Sequence, residues 1–217
     1  VRMAVCLDYM FDPENLTPEQ RNDPYRAARM GSFKSFSDGS LGSRSAKLYT
    51  DYADDPGNTG ILVISPEDLA KRMYKAYRHG LQPATHCIGD KALEVTLDAV
   101  EYCLQQGLKD GMTPEEQAKR LPFRIIHAQM ATPELIERMK KLPIVLDIQP
   151  TFLMTDLHWI EERVGKERAV LSYPWKTYLD AGLIMAGGSD APVESFNPWI
   201  GIYATVTRQD MDGYPVG

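Results

Sequence analysis

Four side chains that could serve metal-dependent chemistry lie within or just after short, strand-like segments of the chain: Lys34, His86, His127 and Asp190. The clearest case is the segment 123–127, an apolar run that ends in histidine. Ligands and metal ions collect where the strand ends of an α/β protein converge. We therefore predict that the four side chains meet in one pocket at the carboxyl ends of parallel strands.

The types of these side chains fit a metal centre. Imidazole nitrogen and carboxylate oxygen bind divalent metals such as zinc, so His86, His127 and Asp190 can act as ligands as they stand. Lys34 becomes a ligand only if carbon dioxide adds to its amine, because an ammonium group repels a cation whereas a carbamate can bridge two metal ions. A bound metal would lower the pKa of water from about 15.7 to about 7, and Asp190 could take the proton from that water.

The elements that must position these residues alternate between strand and helix. Strand-like patterns cover six segments: 1–9, 33–37, 81–86, 123–127, 144–148 and 183–188. Asp90 is predicted to cap a helix that ends at Gly107, and 151–168 is predicted to be a long connection. Other helix starts are predicted at four positions: Ser65, Thr113, Thr132 and Asn197. The alternation predicts an α/β fold with a parallel sheet built by right-handed crossovers.

Candidate catalytic residues on several successive strand ends favour a (β/α)₈ TIM barrel over an open sheet, in which sites cluster at one switch point. Six strands do not close an eight-stranded barrel. We therefore predict that residues 1–217 form one partial barrel domain that covers about strands 3 to 8. Such a domain has two open strand edges, which favour pairing between copies of the chain, so a homo-oligomer is expected.

Composition excludes several classes of partner. The chain has a formal net charge of −6, with 43% hydrophobic and 25% charged residues, which is typical of a globular protein and unsuited to phosphate contacts with nucleic acid. Its longest apolar runs fall far short of the roughly 20 residues that a membrane-spanning helix needs. Three cysteines without zinc-type spacing favour a reducing cytoplasm. The expected partner is a small-molecule substrate.

Five motifs then resemble those of a known family in order and spacing: KSFSDGSLGSRSA at 34–46, THCIGD at 85–90, IHAQ at 126–129, QP at 149–150 and GSDAPV at 188–193. They resemble the amidohydrolase superfamily, most closely the amidohydrolase-3 group, to which N-substituted formamide deformylases belong. The resemblance implies a metal-dependent hydrolase barrel in which Lys34, His86 and His127 end the fourth, fifth and sixth strands and Asp190 ends the eighth.

That superfamily carries a His-x-His pair on its first strand. The histidines of this chain have other spacings: His79, His86, His127 and His158. The resemblance thus implies that the pair, the first two strands and a small flanking β-domain lie outside these 217 residues. We expect the chain by itself to be catalytically silent.

The sequence therefore predicts hydrolysis of an amide or other non-peptide C–N bond by metal-activated hydroxide. Two alternatives remain: a cyclic amidase, an esterase or a deaminase on the same barrel, and a non-catalytic segment with a binding or structural role. Asp38 and His79 are predicted to be structural, as a turn residue and a helix-end residue. Five residues are predicted to contact substrate: Arg44, Gln149, Asp156, His158 and Trp159.

Overall fold

The computed structural model describes residues 3–7, 12–15 and 28–215. Within them, six parallel strands form one sheet: β1 Met3–Leu7, β2 Ala28–Phe36, β3 Gln82–Cys87, β4 Phe123–His127, β5 Ile144–Ile148 and β6 Met185–Gly187. The strands lie in sequence order from β1 to β6. A doubly wound sheet would reverse its order at a switch point, so the uninterrupted order confirms the predicted segment of a (β/α)₈ barrel.

Helices follow the strands and cover the outside of the sheet. They are α1 Pro66–Arg78, α2 Asp90–Lys109, α3 Pro114–Ala118, α4 Pro133–Met139, α5 Pro150–Asp156, α6 Ile160–Val164, α7 Lys166–Ala169, α8 Trp175–Asp180 and α9 Pro198–Thr207. A short 3₁₀ turn, Pro13–Asn15, precedes β2. Among the described residues, no helix combines the length and the apolar character that crossing a membrane requires.

Local capping signals account for most helix starts. The Ser65 side chain accepts from the Asp68 amide, Thr113 forms a capping box with Glu116, and Asn197 accepts from the Trp199 amide. Each of these helices has proline in its first turn, where its missing N–H costs nothing. The predicted starts at the four capping positions are therefore confirmed, since Thr132 likewise accepts from the backbone of α4.

Three predictions about the elements are wrong or incomplete. The cap of α2 is Gly89 rather than Asp90, and the helix continues past Gly107 to Lys109 because that glycine is buried within the helix. The segment 151–168 is not a plain connection, since α5, α6 and α7 occupy most of it. Strand β2 begins at Ala28, earlier than predicted. The predicted strand 1–9 is described only over Met3–Leu7, and its ends lie outside the described residues.

The two faces of the sheet differ in polarity. The outward-facing residues of β3 to β5 are mostly apolar and pack with the helices in the main core, among them Cys87, Phe123, Ile125, Leu146 and Ile148. The alternate residues face the barrel interior and stand opposite one another across neighbouring strands: Lys34 with Ala84, Ala84 with Arg124, His86 with Ile126 and Ile126 with Asp147. The alternation therefore sends Lys34, His86, Arg124 and Asp147 inward. His127 has the parity of the outward-facing Phe123 and Ile125, so its place in the cleft goes with its left-handed backbone (φ 72°) rather than with the alternation.

A second apolar cluster lies beyond the carboxyl ends of the strands, in what we call the loop platform: residues 38–60 together with α6 and α7. Its buried members are Leu41, Ala46, Leu48, Tyr52, Ile88, Met130, Ile160 and Val164. Two arginines connect the helices α6 and α7 to the loop 38–60. Arg163 forms an ion pair with Asp54, and Arg168 donates hydrogen bonds to the side chain and carbonyl of Thr50. The long loop after β2 is thus a packed structure with its own core.

Candidate metal centre

A cleft of about 560 Å³ opens at the carboxyl ends of the strands. Its lining includes the four residues that sequence analysis placed together: Lys34, His86, His127 and Asp190. Gln149, one of the predicted substrate contacts, lines the same cleft. The structure thus brings side chains from β2, β3 and β4, and from the segments after β5 and β6, to one edge of the sheet.

His86 is held from the side of the loop platform. Its Nε2 lies 2.9 Å from the carbonyl oxygen of Gly39 and 3.5 Å from Oδ1 of Asp38. Because a carbonyl oxygen only accepts, Nε2 carries the proton in the neutral ring and Nδ1 keeps the lone pair. Burial, the largest effect, and the nearby Lys34 ammonium together lower the pKa of His86 to about 4, against the hydrogen bond with the Gly39 carbonyl, which raises it. The ring is therefore neutral at physiological pH.

His127 lies against His86, with ring centroids 4.5 Å apart and the rings edge to face. Its side chain is 4% exposed, and its Nε2 lies 3.8 Å from Oδ2 of Asp190. Burial, the largest effect, lowers the pKa of His127 to about 2 together with the neighbouring His86 ring and the Lys34 ammonium, whereas the Gln149 side chain acts in the opposite direction. Two neutral imidazoles are thus packed side by side, which is the protonation state that metal ligation needs.

Asp190 and Lys34 complete the cleft and are less confined than the histidines. The Asp190 side chain is 48% exposed, and it lies just beyond the three-residue strand β6. The Lys34 ammonium sits 4.7 Å above the ring of Phe36, a cation–π contact that suits a charged amine. Lys34 and Asp190 therefore place one cation and one anion beside two neutral rings.

Backbone strain gathers at the same place. His127 has a φ of 72°, the following Ala128 has 45°, and Asp190 has 55°. Residues with side chains rarely adopt the left-handed region, which costs about 1–3 kcal/mol unless surrounding structure enforces it. Strain at two of the four candidate ligands is typical of a site whose side chains must point in fixed directions.

Asp38 is more than the turn residue that the sequence suggested. Its buried carboxylate accepts the backbone N–H groups of Lys47, Ile88 and Gly89, which ties the loop platform to the start of α2. Burial raises the pKa of this carboxyl to about 7 against those hydrogen bonds. Asp38 thus fixes the turn that presents the Gly39 carbonyl to His86.

Sequence reasoning missed an ion pair inside the barrel. Arg124 donates from Nε to Asp147 Oδ2 at 2.7 Å and from Nη1 to Ser32 Oγ at 2.8 Å, and both charged residues line the cleft. The signal was available, since Arg124 and Asp147 occupy inward-facing positions of otherwise apolar strands. The pair links β4 to β5, and the hydrogen bond from Arg124 to Ser32 extends the connection to β2.

Four of the five predicted substrate contacts are engaged elsewhere. Arg44 pairs with Asp54 in the loop platform, and Trp159 packs there against Gly42. The other two form separate clusters: Asp156 accepts from Gln129 and Tyr173, and His158 bonds to Asp210 and stacks on Tyr214. The structure does not place these four among the residues that line the cleft. His79 is the C-cap of α1, in agreement with its predicted structural role.

The residues of the cleft fit a divalent metal ion. Nε2 of His127 faces Asp190 in the cleft, and His86 has one ring nitrogen fixed as a donor and the other left with its lone pair. Within the described part of the chain, no three His, Cys, Asp or Glu side chains already stand as a complete ligand set. The donor set therefore requires Lys34 in carboxylated form or ligands from outside the described residues.

The parallel strand order and this cleft define the class of fold, part of a (β/α)₈ barrel with a candidate metal centre at the carboxyl ends of its strands. The sequence model described as "Amidohydrolase family" matches residues 2–216. The chain belongs to that family.

Relatives agree with this assignment. The chain is 40% identical to the putative amidohydrolase YtcJ of Bacillus subtilis over 88% of its length, and 39% identical to LONG AFTER FAR-RED 3 of Arabidopsis thaliana over 82%. A crystal structure of an uncharacterised metal-dependent hydrolase from Pyrococcus horikoshii superposes with a TM-score of 0.82 at 33% identity, covering 96% of this chain and 39% of that one. The chain spans only 34% and 29% of the two relatives' lengths.

Proposed function

We propose that this chain supplies strands 3 to 8 of a hydrolase that cleaves an amide or other non-peptide C–N bond, with Lys34, His86, His127 and Asp190 around a divalent metal, most simply zinc. The observation that carries the proposal is the convergence of two buried, neutral imidazoles, a half-exposed carboxylate and a lysine in one cleft. When bound there, a divalent metal lowers the pKa of a coordinated water and polarises a substrate carbonyl.

Each of the four candidate site residues has a defined part in this proposal. His86 and His127 present lone pairs from positions fixed by burial and, for His127, also by a strained backbone. Asp190 reaches solvent, so it can accept the proton of the attacking water and return it to the leaving amine. Lys34 as a carbamate would replace the cation of the cleft by an anionic ligand.

The wider setting follows from the same residues. A cleft of about 560 Å³ suits a small molecule. Cys87 and Cys103 are free and buried, and fit a reducing cytoplasm. Within the described residues, β6 pairs only with β5, so its other edge is open to association with a second copy or with another segment.

The test compares the chain alone with a fusion in which the N-terminal segment of the Bacillus subtilis relative precedes it. Both are assayed with added zinc against formamides, N-acyl amino acids, lactams and esters. We expect the fusion to hydrolyse an amide-type substrate and the chain alone to be silent. Hydrolysis of esters or lactams only would show that the enzyme cleaves an ester or a cyclic amide rather than the proposed bond. Zinc binding without any turnover would favour a non-catalytic role.

In the fusion, Asp190→Asn should lower turnover about 10²–10⁴-fold, the usual contribution of a general acid–base group. The matched control is Glu194→Gln, which lies in the same loop but bonds to Thr155 and should keep turnover within about two-fold. Equal losses in both variants would show that loop disruption, not proton transfer, explains the effect.

A further inference from the structure

The Gln149 side chain is a buried amide with only one end engaged. Its Nε2 donates to the carbonyl oxygen of Asp147 at 3.0 Å. Its Oε1 is buried and has no hydrogen-bond partner. Because Nε2 must face that carbonyl to donate, the amide has a fixed orientation and Oε1 is the acceptor that remains to be used.

His127 also has a buried polar atom without a hydrogen-bond partner. Its Nδ1 is buried and has no hydrogen-bond partner, while its Nε2 faces Asp190 at 3.8 Å. The strand register brings the two residues to the same part of the sheet edge, since Ile126 of β4 stands opposite Asp147 of β5, and the Gln149 side chain is close enough to raise the pKa of His127. His127 directly follows Ile126 in β4, and Gln149 comes two residues after Asp147, just past the end of β5. Both residues line the cleft.

We propose that Gln149 is a positioning residue whose Oε1 accepts the Nδ1–H of His127. The pair satisfies two buried polar atoms with one hydrogen bond, and buried polar atoms in native proteins are rarely left unpaired. It also fixes the tautomer of the ring: with the proton on Nδ1, the lone pair is on Nε2, the nitrogen that faces Asp190 and the cleft.

The role of Gln149 has a counterpart at the neighbouring histidine. Nε2 of His86 donates to the Gly39 carbonyl, so the two rings are held through opposite nitrogens by oxygens from the loops after β2 and β5. Ligating histidines characteristically donate their second N–H to such an oxygen, which orients the ring. The significance of the pair for metal binding rests on the proposed function, but the tautomer itself does not.

The experiment reads the tautomers directly in the metal-free protein by long-range ¹H–¹⁵N correlation NMR near pH 7.5. The chain has only four histidines, and those outside the cleft, His79 and His158, can be assigned through His79→Gln and His158→Gln. We expect His127 to carry its proton on Nδ1 and His86 on Nε2. A His127 ring protonated on Nε2 in the wild-type protein would overturn the proposal.

Two variants test the role of Gln149. Gln149→Leu removes the acceptor, so the Nδ1–H form of His127 should be lost, and zinc affinity should fall about 10–100-fold, the usual cost of removing such a partner. Gln149→Glu restores an acceptor oxygen and should return both the tautomer and most of the zinc affinity. An unchanged His127 spectrum in Gln149→Leu contradicts the proposal.

Unchanged signals of His79 and His158 report that each variant is folded, because both residues lie outside the cleft. If Gln149→Leu fails this check, Gln149→Glu and the wild-type tautomer still decide the question. The outcomes also separate the two claims. The expected tautomers without zinc binding would refute the proposed function and leave the hydrogen bond between His127 and Gln149 supported. Zinc binding with His127 protonated on Nε2 would support the proposed function and refute the hydrogen bond.

Discussion

The two sides of the cleft are built differently. On the histidine side, His86 and His127 are 13% and 4% exposed, lie on interior strands, and are flanked by the platform and by Gln149. On the aspartate side, Asp190 is 48% exposed and follows a strand of three residues. The nearby Phe196 and Trp199 are exposed as well.

This difference matches two different chemical tasks. A ligand nitrogen needs a fixed lone pair and a neutral ring, which burial and an oxygen acceptor for the N–H of the second nitrogen provide. A proton carrier needs contact with water and some freedom of movement, which a half-exposed carboxylate in a loop has. The comparison predicts that the histidine side dominates metal affinity and the aspartate side dominates turnover.

The largest expected effect is therefore on zinc affinity. His127→Ala should weaken zinc binding about 100-fold or more, since the roughly 10–16 kcal/mol of a tight zinc site is shared among about four ligands. Asp190→Ala should weaken it less than His127→Ala, because the aspartate is half solvated before the metal binds. Competition with a chelator of known affinity measures both. A larger loss in Asp190→Ala would reverse the assignment of the two sides.

The second prediction concerns the buried support behind the histidine side. Asp156 accepts from Gln129, two residues after His127, and from Tyr173. Burial raises the pKa of Asp156 from 3.8 to about 6. The folded state thus keeps a proton that the unfolded state releases, so this stabilisation is complete below about pH 4 and is lost as pH rises through about 6.

Asp156→Asn should remove that pH dependence. Between pH 4 and 7 the unfolding free energy of the wild-type protein should fall by about 3 kcal/mol more than that of Asp156→Asn, as measured by urea unfolding. Asp38 and the two buried histidines titrate in both proteins, so their contributions cancel in the difference. Asp98→Asn, an exposed acid of α2, should retain the wild-type slope. Parallel curves for the wild type and Asp156→Asn would contradict the raised pKa.

The smallest expected effect concerns Lys34, on the strand next to that of His86. If Lys34 is carboxylated, Lys34→Ala removes an anionic ligand and should weaken zinc binding about ten-fold, with recovery by a short carboxylic acid in the buffer. If Lys34 stays an ammonium, removing the cation should strengthen zinc binding instead. Titrations with and without acetate therefore give opposite signs for the two states, and unchanged affinity would exclude Lys34 from the site.

Sequence patterns identified the strands that end in functional residues more accurately than the loops between them. The bounds of β4 and β5 agree with the prediction because apolar, branched residues fill both strands. The early start of β2 was missed since Arg29, Gly31 and Ser32 do not resemble a strand. The place of this segment in the sheet comes from pairing, of Arg29 with β1 and of Ser32 with β3, rather than from local preference.

The candidate site divides in the same way. Residue type and strand-end position suffice to bring Lys34, His86, His127 and Asp190 to one cleft. The partners of these residues were not predictable, because they depend on side-chain contacts between distant loops. Arg44 and Asp156, for example, look available for substrate in the sequence, yet each has a partner supplied by tertiary packing.

The loop platform also has a consequence for the order of folding. The hydrogen bonds that hold the platform together join residues that are far apart in the chain, 118 positions for Arg168 with Thr50 and 109 for Arg163 with Asp54. Contacts of such separation form late, because the intervening chain must first be ordered. The Gly39 carbonyl belongs to this platform, so His86 should acquire its fixed orientation only after β3 to β5 have assembled. Metal binding would then report the completion of folding rather than guide its first steps.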